Sequence, residues 1–391
     1  MRAVGYQASL PIDDERSLQD ITLETPAPIG RDLLVAVEAV SVNPVDTKVR
    51  VRQAAEEGAW KVLGWDAVGT VTAVGPDVTL FAPGDAVYYA GAIDRPGTNA
   101  ELHLVDERIV GRKPASLSAR EAAALPLTAI TAWEALFDRI DVRRPVPGAA
   151  NAILIIGGAG GVGSIATQLA ASLTDLTVIT TASRDETVAW SKGLGAHHVV
   201  DHTRPLAGEV AALGIGAPAF VFSTTHTDTH LAEIAELIAP QGRLVLIDDP
   251  ATFDLALLKR KSVSTHWEFM YTRSLFGTAD MSQQGALLNE VARLIDDGTL
   301  KTTLGESYGT AAVVSGMAAL GWNVWNLFRT TRVADEREGA TGGPGTGTPG
   351  AVPGSGDAVP AHQEADHGKS QHHPDIEEPV RFRIGADDAE D

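Results

Sequence analysis

The sequence predicts an α/β chain: a doubly wound parallel sheet covered by helices, set into a β-rich part. Three observations predict it. Up to about residue 120, short Val-rich runs alternate with turns. From about residue 150, apolar runs alternate with amphipathic ones, the βαβ rhythm of a parallel sheet. A glycine-rich turn joins the first of those apolar runs to the helical pattern after it.

Taken in order, DLLVAVEAVSV (32–42), GTVTAVG (69–75) and GDAVYYAG (84–91) combine β-branched residues, alternation and flanking glycines, and so read as strands. Strands at such short spacing suggest a barrel-like or sandwich unit. In SAREAAAL, Ser118 is followed three residues later by Glu121, which marks a helix start. AILIIGG (152–158), LTVITTA (176–182), HHVVD (197–201), FVFST (220–224) and RLVLIDD (243–249) read as strands. Helices are expected from 161, up to about 194, and at 229–239. There is no internal repeat.

With 31 Lys and Arg against 51 Asp and Glu, the 391 residues carry a net charge of −20, which argues against nucleic acid as a partner. Cysteine is absent, which excludes disulfides, thiolate metal sites and a cysteine nucleophile and fits a cytoplasmic setting. The acidic opening lacks a signal-peptide core. Residues 331–391 hold 13 Asp and Glu against 5 Lys and Arg, with 10 Gly and 6 Pro, and read as a disordered tail. The uncharged stretch 310–328 reads as a packed or oligomer-facing helix in preference to a membrane span.

Gly158, Gly160 and Gly163 fill G-x-G-x-x-G between a strand and a helix, the setting in which that pattern binds a dinucleotide. Gly158 is assigned the tight turn, Gly160 the close approach of a diphosphate and Gly163 the helix–strand packing. Ala159, Gly161 and Val162 complete the cradle, with N–H groups at the helix start turned toward phosphate. The next strand ends without an acid, at Thr181-Ala182-Ser183-Arg184. Arg184 and Ser183 can pair with a 2′-phosphate, which favours NADPH. Asp185 and Glu186 follow, and either serve the ribose or start the next helix.

SVNPVDTKVR (41–50), LGWDAVGTVTAVGPDV (63–78), FAPGDAV (81–87), LPLTAITAWEAL (125–136), the glycine cradle, GAHHVVDH (195–202) and KSVSTHWEFMYTRS (261–274) follow one another in an order that resembles the medium-chain dehydrogenase/reductase superfamily. Within it, the chain is most similar to the zinc-free quinone oxidoreductase branch, over about residues 1–310. The resemblance implies a GroES-like catalytic domain (1–120), a Rossmann domain (121–270) and a return segment (271–330). It also implies a homodimer and no membrane partner.

In zinc-dependent relatives a Cys stands at the position of Asn43 and His-Glu at that of Trp65-Asp66, and a four-Cys lobe is present. This chain supplies neither zinc set. His226 and His230 are spaced i, i+4 without a clear third ligand, and His197, His198 and His202 read as structural. The resemblance places Asn43, Asp46 and Lys48 at the mouth of the cleft. Asn43 would offer an amide donor and Lys48 a cation to a developing oxyanion, with Asp46 orienting Lys48. A solvated polar turn is the other reading of these three. Thr128 and Thr131 resemble residues beside the nicotinamide; Trp133 reads as core. Tyr88 and Tyr89 are either phenolic donors or strand packing. His266 and Trp267 suggest interface packing.

The expected activity is NADPH-dependent hydride transfer to a quinone or α,β-unsaturated carbonyl, a small-molecule substrate, without zinc. The alternatives are a zinc-free dehydrogenase on another carbonyl and a non-catalytic NADPH sensor. After Tyr308-Gly309 the chain departs from the family's polar helix and closing strand, with AAVVSGMAALGWNVWNLF and the acidic tail in their place.

Overall fold

The computed structural model describes residues 1–305, so the expectations for 310–328 and for the tail lie outside the described residues. Two antiparallel sheets form the first part. One has three strands, in the order β2 (Gln19–Thr22), β1 (Arg2–Tyr6), β4 (Lys61–Val62). The other has five, in the order β7 (Leu102–Asp106), β3 (Asp32–Ser41), β5 (Asp66–Val74), β6 (Ala86–Tyr89), β8 (Val110–Arg112). Along β3 and β5, Leu33, Val35, Ala67 and Val71 pack together on one face, spaced by two or four residues as strand alternation requires.

Between β3 and β4 lies a helix that the strand-and-turn reading missed, α1 (Pro44–Arg52). Asn43-Pro44 signals a turn, but here Asn43 is the residue before the first helical turn. Pro44 fills the first helical position, where its missing N–H costs nothing. Helices α2 (Ala119–Ala123) and α3 (Pro126–Trp133) lead into the second part, and α3 continues into a π-helical turn at Glu134–Arg139. The Ser118–Glu121 pair starts α2 reciprocally: Ser118 N–H donates to the Glu121 carboxylate at 2.9 Å, and Glu121 N–H donates to Ser118 Oγ at 3.4 Å.

The parallel sheet has six strands, in the order β11 (His198–Val200), β10 (Thr177–Thr181), β9 (Ala150–Ile156), β12 (Pro218–Ser223), β13 (Arg243–Leu246), β14 (Ser264–Trp267). Ile153 to Ile156 are all buried, as a strand covered by helices on both faces requires. Those helices are α4 (Gly161–Leu173), α5 (Asp185–Gly193), α6 (Leu206–Ala212), α7 (Thr227–Leu237) and α8 (Ala256–Lys259). After β14, α9 (Thr272–Phe276) and α10 (Gln283–Asp296) return to the first part, where Tyr88 Oη donates to the Leu288 carbonyl. One apolar core runs through both parts, from Trp65 and Tyr88 to Ile153, Phe222 and Leu288. Sheet order reverses between β9 and β12, and such a reversal opens a crevice beyond the strand ends.

Candidate active site

At that crevice β9 ends in the glycine cradle. The tight turn belongs to Gly157, whose φ of +80° disfavours any side chain, and not to Gly158 as expected. Gly158 is required for a different reason: a Cβ there would come 2.5 Å from Thr180 Cβ on β10. A Cβ on Gly163 would overlap the Gly157 carbonyl, so α4 begins directly against the turn. Gly160 is the cap of α4 and Gly161 its first residue, and the first N–H groups of a helix have no intrahelical acceptor. Ala159 and Val162 complete this run and are half-buried. These features fit a dinucleotide diphosphate: main-chain donors at a helix start whose cap and first residue are glycines.

Ser183 and Arg184 lie exposed between β10 and α5, with Arg184 at the cap of α5 and Asp185 and Glu186 in its first turn. His202, beyond β11, has its imidazole pushed down by burial and then by His226 and Arg184. His230 on α7 is pushed down by burial and then by His202 and His226. His202 thus feels both Arg184 and His226, residues that follow three different strands, β11, β10 and β12. Spacing alone paired only His226 with His230.

On the other side of the crevice, Asn43 and Asp46 are buried. Asn43 Nδ2 donates to Asp66 Oδ2 at 2.8 Å. Asp46 does not orient Lys48, contrary to expectation. Its carboxylate accepts from the Asn43 N–H at 2.7 Å and from the Gly64 N–H at 2.9 Å, facing back into the turn while Lys48 points out. Burial nevertheless raises its pKa to about 7. Lys48 Nζ reaches Asp249 Oδ2 at 3.0 Å, beyond the end of β13, so α1 stands over the carboxyl ends of the parallel strands.

Asp66 is the site residue that motif comparison treated only as a replacement. It is fully buried, accepts from Leu127 N–H at 2.8 Å, and burial pushes its carboxyl well above the usual range. Thr128, next to Leu127, spends its hydroxyl on Leu125 O at 3.0 Å, and a Cβ on Gly161 would lie 3.1 Å from its methyl. Thr128 thus meets the cradle with carbon, and Thr131 also turns its hydroxyl back, onto Leu127 O. Tyr88 and Tyr89 are packing residues, the latter with its phenol 3.1 Å from His103 Nδ1. Trp133 is half-buried against Phe137. Tyr271, unremarked in the sequence, packs edge-on against Trp65 with 6.1 Å between ring centroids.

Among the described residues no three His, Asp or Glu side chains converge as a metal ion would need. With an amide at position 43 and no cysteine, the donors here do not fit zinc.

Residues 30–115 match the family model of the alcohol dehydrogenase GroES-like domain, and residues 161–284 that of the zinc-binding dehydrogenases. A zinc-type alcohol dehydrogenase-like protein of Staphylococcus aureus strain MSSA476 is 42% identical over 308 residues, 78% of this chain and 90% of its own length. A crystal structure from Rhizobium etli CFN 42, described as a candidate zinc-dependent alcohol dehydrogenase, is 66% identical with a TM-score of 0.81, covering 82% of this chain and 95% of its own. The quinone oxidoreductase of Pseudomonas syringae pv. Tomato DC3000 is 28% identical with a TM-score of 0.69, covering 84% and 97%. The chain therefore belongs to the medium-chain dehydrogenase/reductase superfamily and is an oxidoreductase of its zinc-type alcohol dehydrogenase-like group, although it has no cysteine to offer as a zinc ligand.

Proposed function

We propose that the protein is an NADPH-dependent reductase that delivers hydride to a quinone or an α,β-unsaturated carbonyl without zinc. One observation supports this reading most: Asn43, in a buried hydrogen bond to Asp66, offers an amide where zinc-dependent relatives carry a thiolate. Alcohol oxidation in this superfamily relies on a Lewis acid for the alkoxide, whereas a conjugated acceptor needs only donors for an enolate or quinol oxygen. Similarity to the Pseudomonas syringae quinone oxidoreductase supports the same acceptor class.

The start of α4, with Gly158, Ala159, Gly160, Gly161, Val162 and Gly163, would hold the diphosphate. Ser183 and Arg184 would take the 2′-phosphate. Reduced nicotinamide, when bound, supplies the hydride. Asn43 and Lys48 supply an N–H and an ammonium to the substrate oxygen. Asp46 holds the turn that carries them, and Thr128 keeps its methyl against the cradle. Exposed Trp267 and Phe269, on and just after the edge strand β14, support a homodimer through that edge. Absence of cysteine supports a cytoplasmic setting.

NADPH oxidation against a panel of quinones, enones and saturated aldehydes tests the assignment. Turnover confined to the conjugated acceptors is expected, in enzyme stripped with a chelator. Turnover only of saturated aldehydes, or only after zinc is added, would overturn it.

A further inference from the structure

Asp66 has no exposed surface, and among the described residues neither it nor Asp46 beside it is held in an ion pair. Arg50, buried four residues after Asp46 on α1, gives its Nη1 to the Leu10 carbonyl at 2.7 Å. Tyr271 approaches from the segment before α9, near enough that both carboxyls act on its phenol, and its Oη has no hydrogen-bond partner. The Trp65 indole, whose Nε1 is also without a partner, packs on Tyr271. The peptide N–H of Leu127 completes the box from α3. Two ionised carboxylates in one enclosure, neither in an ion pair, repel each other and lose hydration, so the enclosure holds a proton.

The 2.8 Å contact between Asn43 and Asp66 accommodates that proton in one way. A half-turn of the Asn43 amide exchanges its nitrogen and oxygen without moving either backbone. A carboxylate at Asp66 would draw Nδ2 and leave the Asn43 carbonyl oxygen, an acceptor, on the far side. A protonated carboxyl donates to Oδ1 and leaves Nδ2 on the far side. Asp66 Oδ1 still accepts from Leu127 in either case.

We infer that Asp66 is a positioning residue that works as the neutral acid: its O–H donates to Asn43 Oδ1 and so turns the Nδ2 donor toward the substrate oxygen. This deepens the reductase reading and rests on it for the identity of that oxygen. Loss of the Asp66 proton at high pH rotates the amide and presents an acceptor to the developing oxyanion, so turnover falls as pH rises.

The test begins with a readout that needs no turnover. In the infrared spectrum of the full chain at neutral pH, a carboxylic acid C=O component should be present that is lost in Asp66→Asn and retained in Asp46→Asn and in Glu268→Gln. A spectrum in which Asp66→Asn removes only carboxylate bands overturns the inference. In kinetics, Asp66→Ala should lower kcat about tenfold to a hundredfold, the range for losing an oxyanion donor, with KM for NADPH within about twofold. Asp66→Asn, whose amide can still donate to Asn43 and accept from Leu127, should rescue most of that loss and abolish the alkaline fall. An Asp66→Asn enzyme as impaired as Asp66→Ala, or one that keeps the wild-type pH profile, also overturns it. If no conjugated acceptor is reduced, the reductase reading fails while the infrared result still decides the state of Asp66.

Discussion

Lys48 and Asp249 meet at 3.0 Å between α1 and the loop beyond β13, joining the antiparallel part of the molecule to the end of the parallel sheet. Both side chains are largely exposed, and Arg52 lies 3.7 Å from the same carboxylate. An ion pair so open to water contributes at most about 1 kcal/mol.

Asp249→Asn is therefore expected to leave the melting temperature within a few degrees of wild type. Lys48→Ala should lower kcat by about tenfold or more if its ammonium faces the substrate oxygen. Steady-state kinetics beside thermal melts of the two variants check this, and an equal, small effect of both would reduce Lys48 to a surface contact.

Arg184→Ala should weaken NADPH binding about tenfold to a hundredfold, the worth of a charge-assisted hydrogen bond to phosphate, and leave NADH nearly untouched. Calorimetry with each cofactor decides it. Parallel losses for both would remove the preference for the phosphorylated form.

Gly158→Ala forces a methyl to 2.5 Å from Thr180 Cβ inside the sheet. Overpacking of this kind costs about 1–3 kcal/mol, and the shift it imposes on the cradle should weaken both cofactors together. Gly193→Ala, at the end of α5 with open space around it, is the control and should be neutral or stabilising by up to about 1 kcal/mol.

Glu134, in the π-helical turn, and Glu268, just past β14, have no exposed side-chain surface, and one carboxyl oxygen of each lacks a donor. The two carboxyls lie close enough to act on each other's ionisation. Arg273 bonds Glu134 at 2.6 Å and Arg139 bonds Glu268 at 2.7 Å, yet burial and then the neighbouring Glu134 raise Glu268 to about 8. The folded state thus holds a proton that the unfolded chain releases near 4.5. Stability from this pair is full below that value, declines as pH rises from about 4.5 to about 8, and is flat above it. Melting temperature followed across pH should show that decline, and Glu268→Gln, which donates without titrating, should flatten it. An unchanged slope in Glu268→Gln would place the titration elsewhere.

Much of the fold was legible along the chain because its causes are local. Ile153 to Ile156 and Phe220 to Phe222 announce buried strands by apolar run and length, and Ser118 with Glu121 announces a helix by spacing. Helix α1 was not legible in this way. Its hydrophobic face is weak, and Asn43-Pro44 reads as a turn until the buried turn around Asp46 is seen.

What the sequence determined by itself was the α/β order, the glycine cradle and the absence of a thiolate ligand, each a matter of residue type and short spacing. Only the tertiary structure decided which partners the polar residues take. Asn43 meets Asp66 across 23 positions, Lys48 meets Asp249 across 201, and Glu134 meets Arg273 across 139. A buried hydrogen bond depends on which groups folding removes from water together, and distance along the chain carries no record of that.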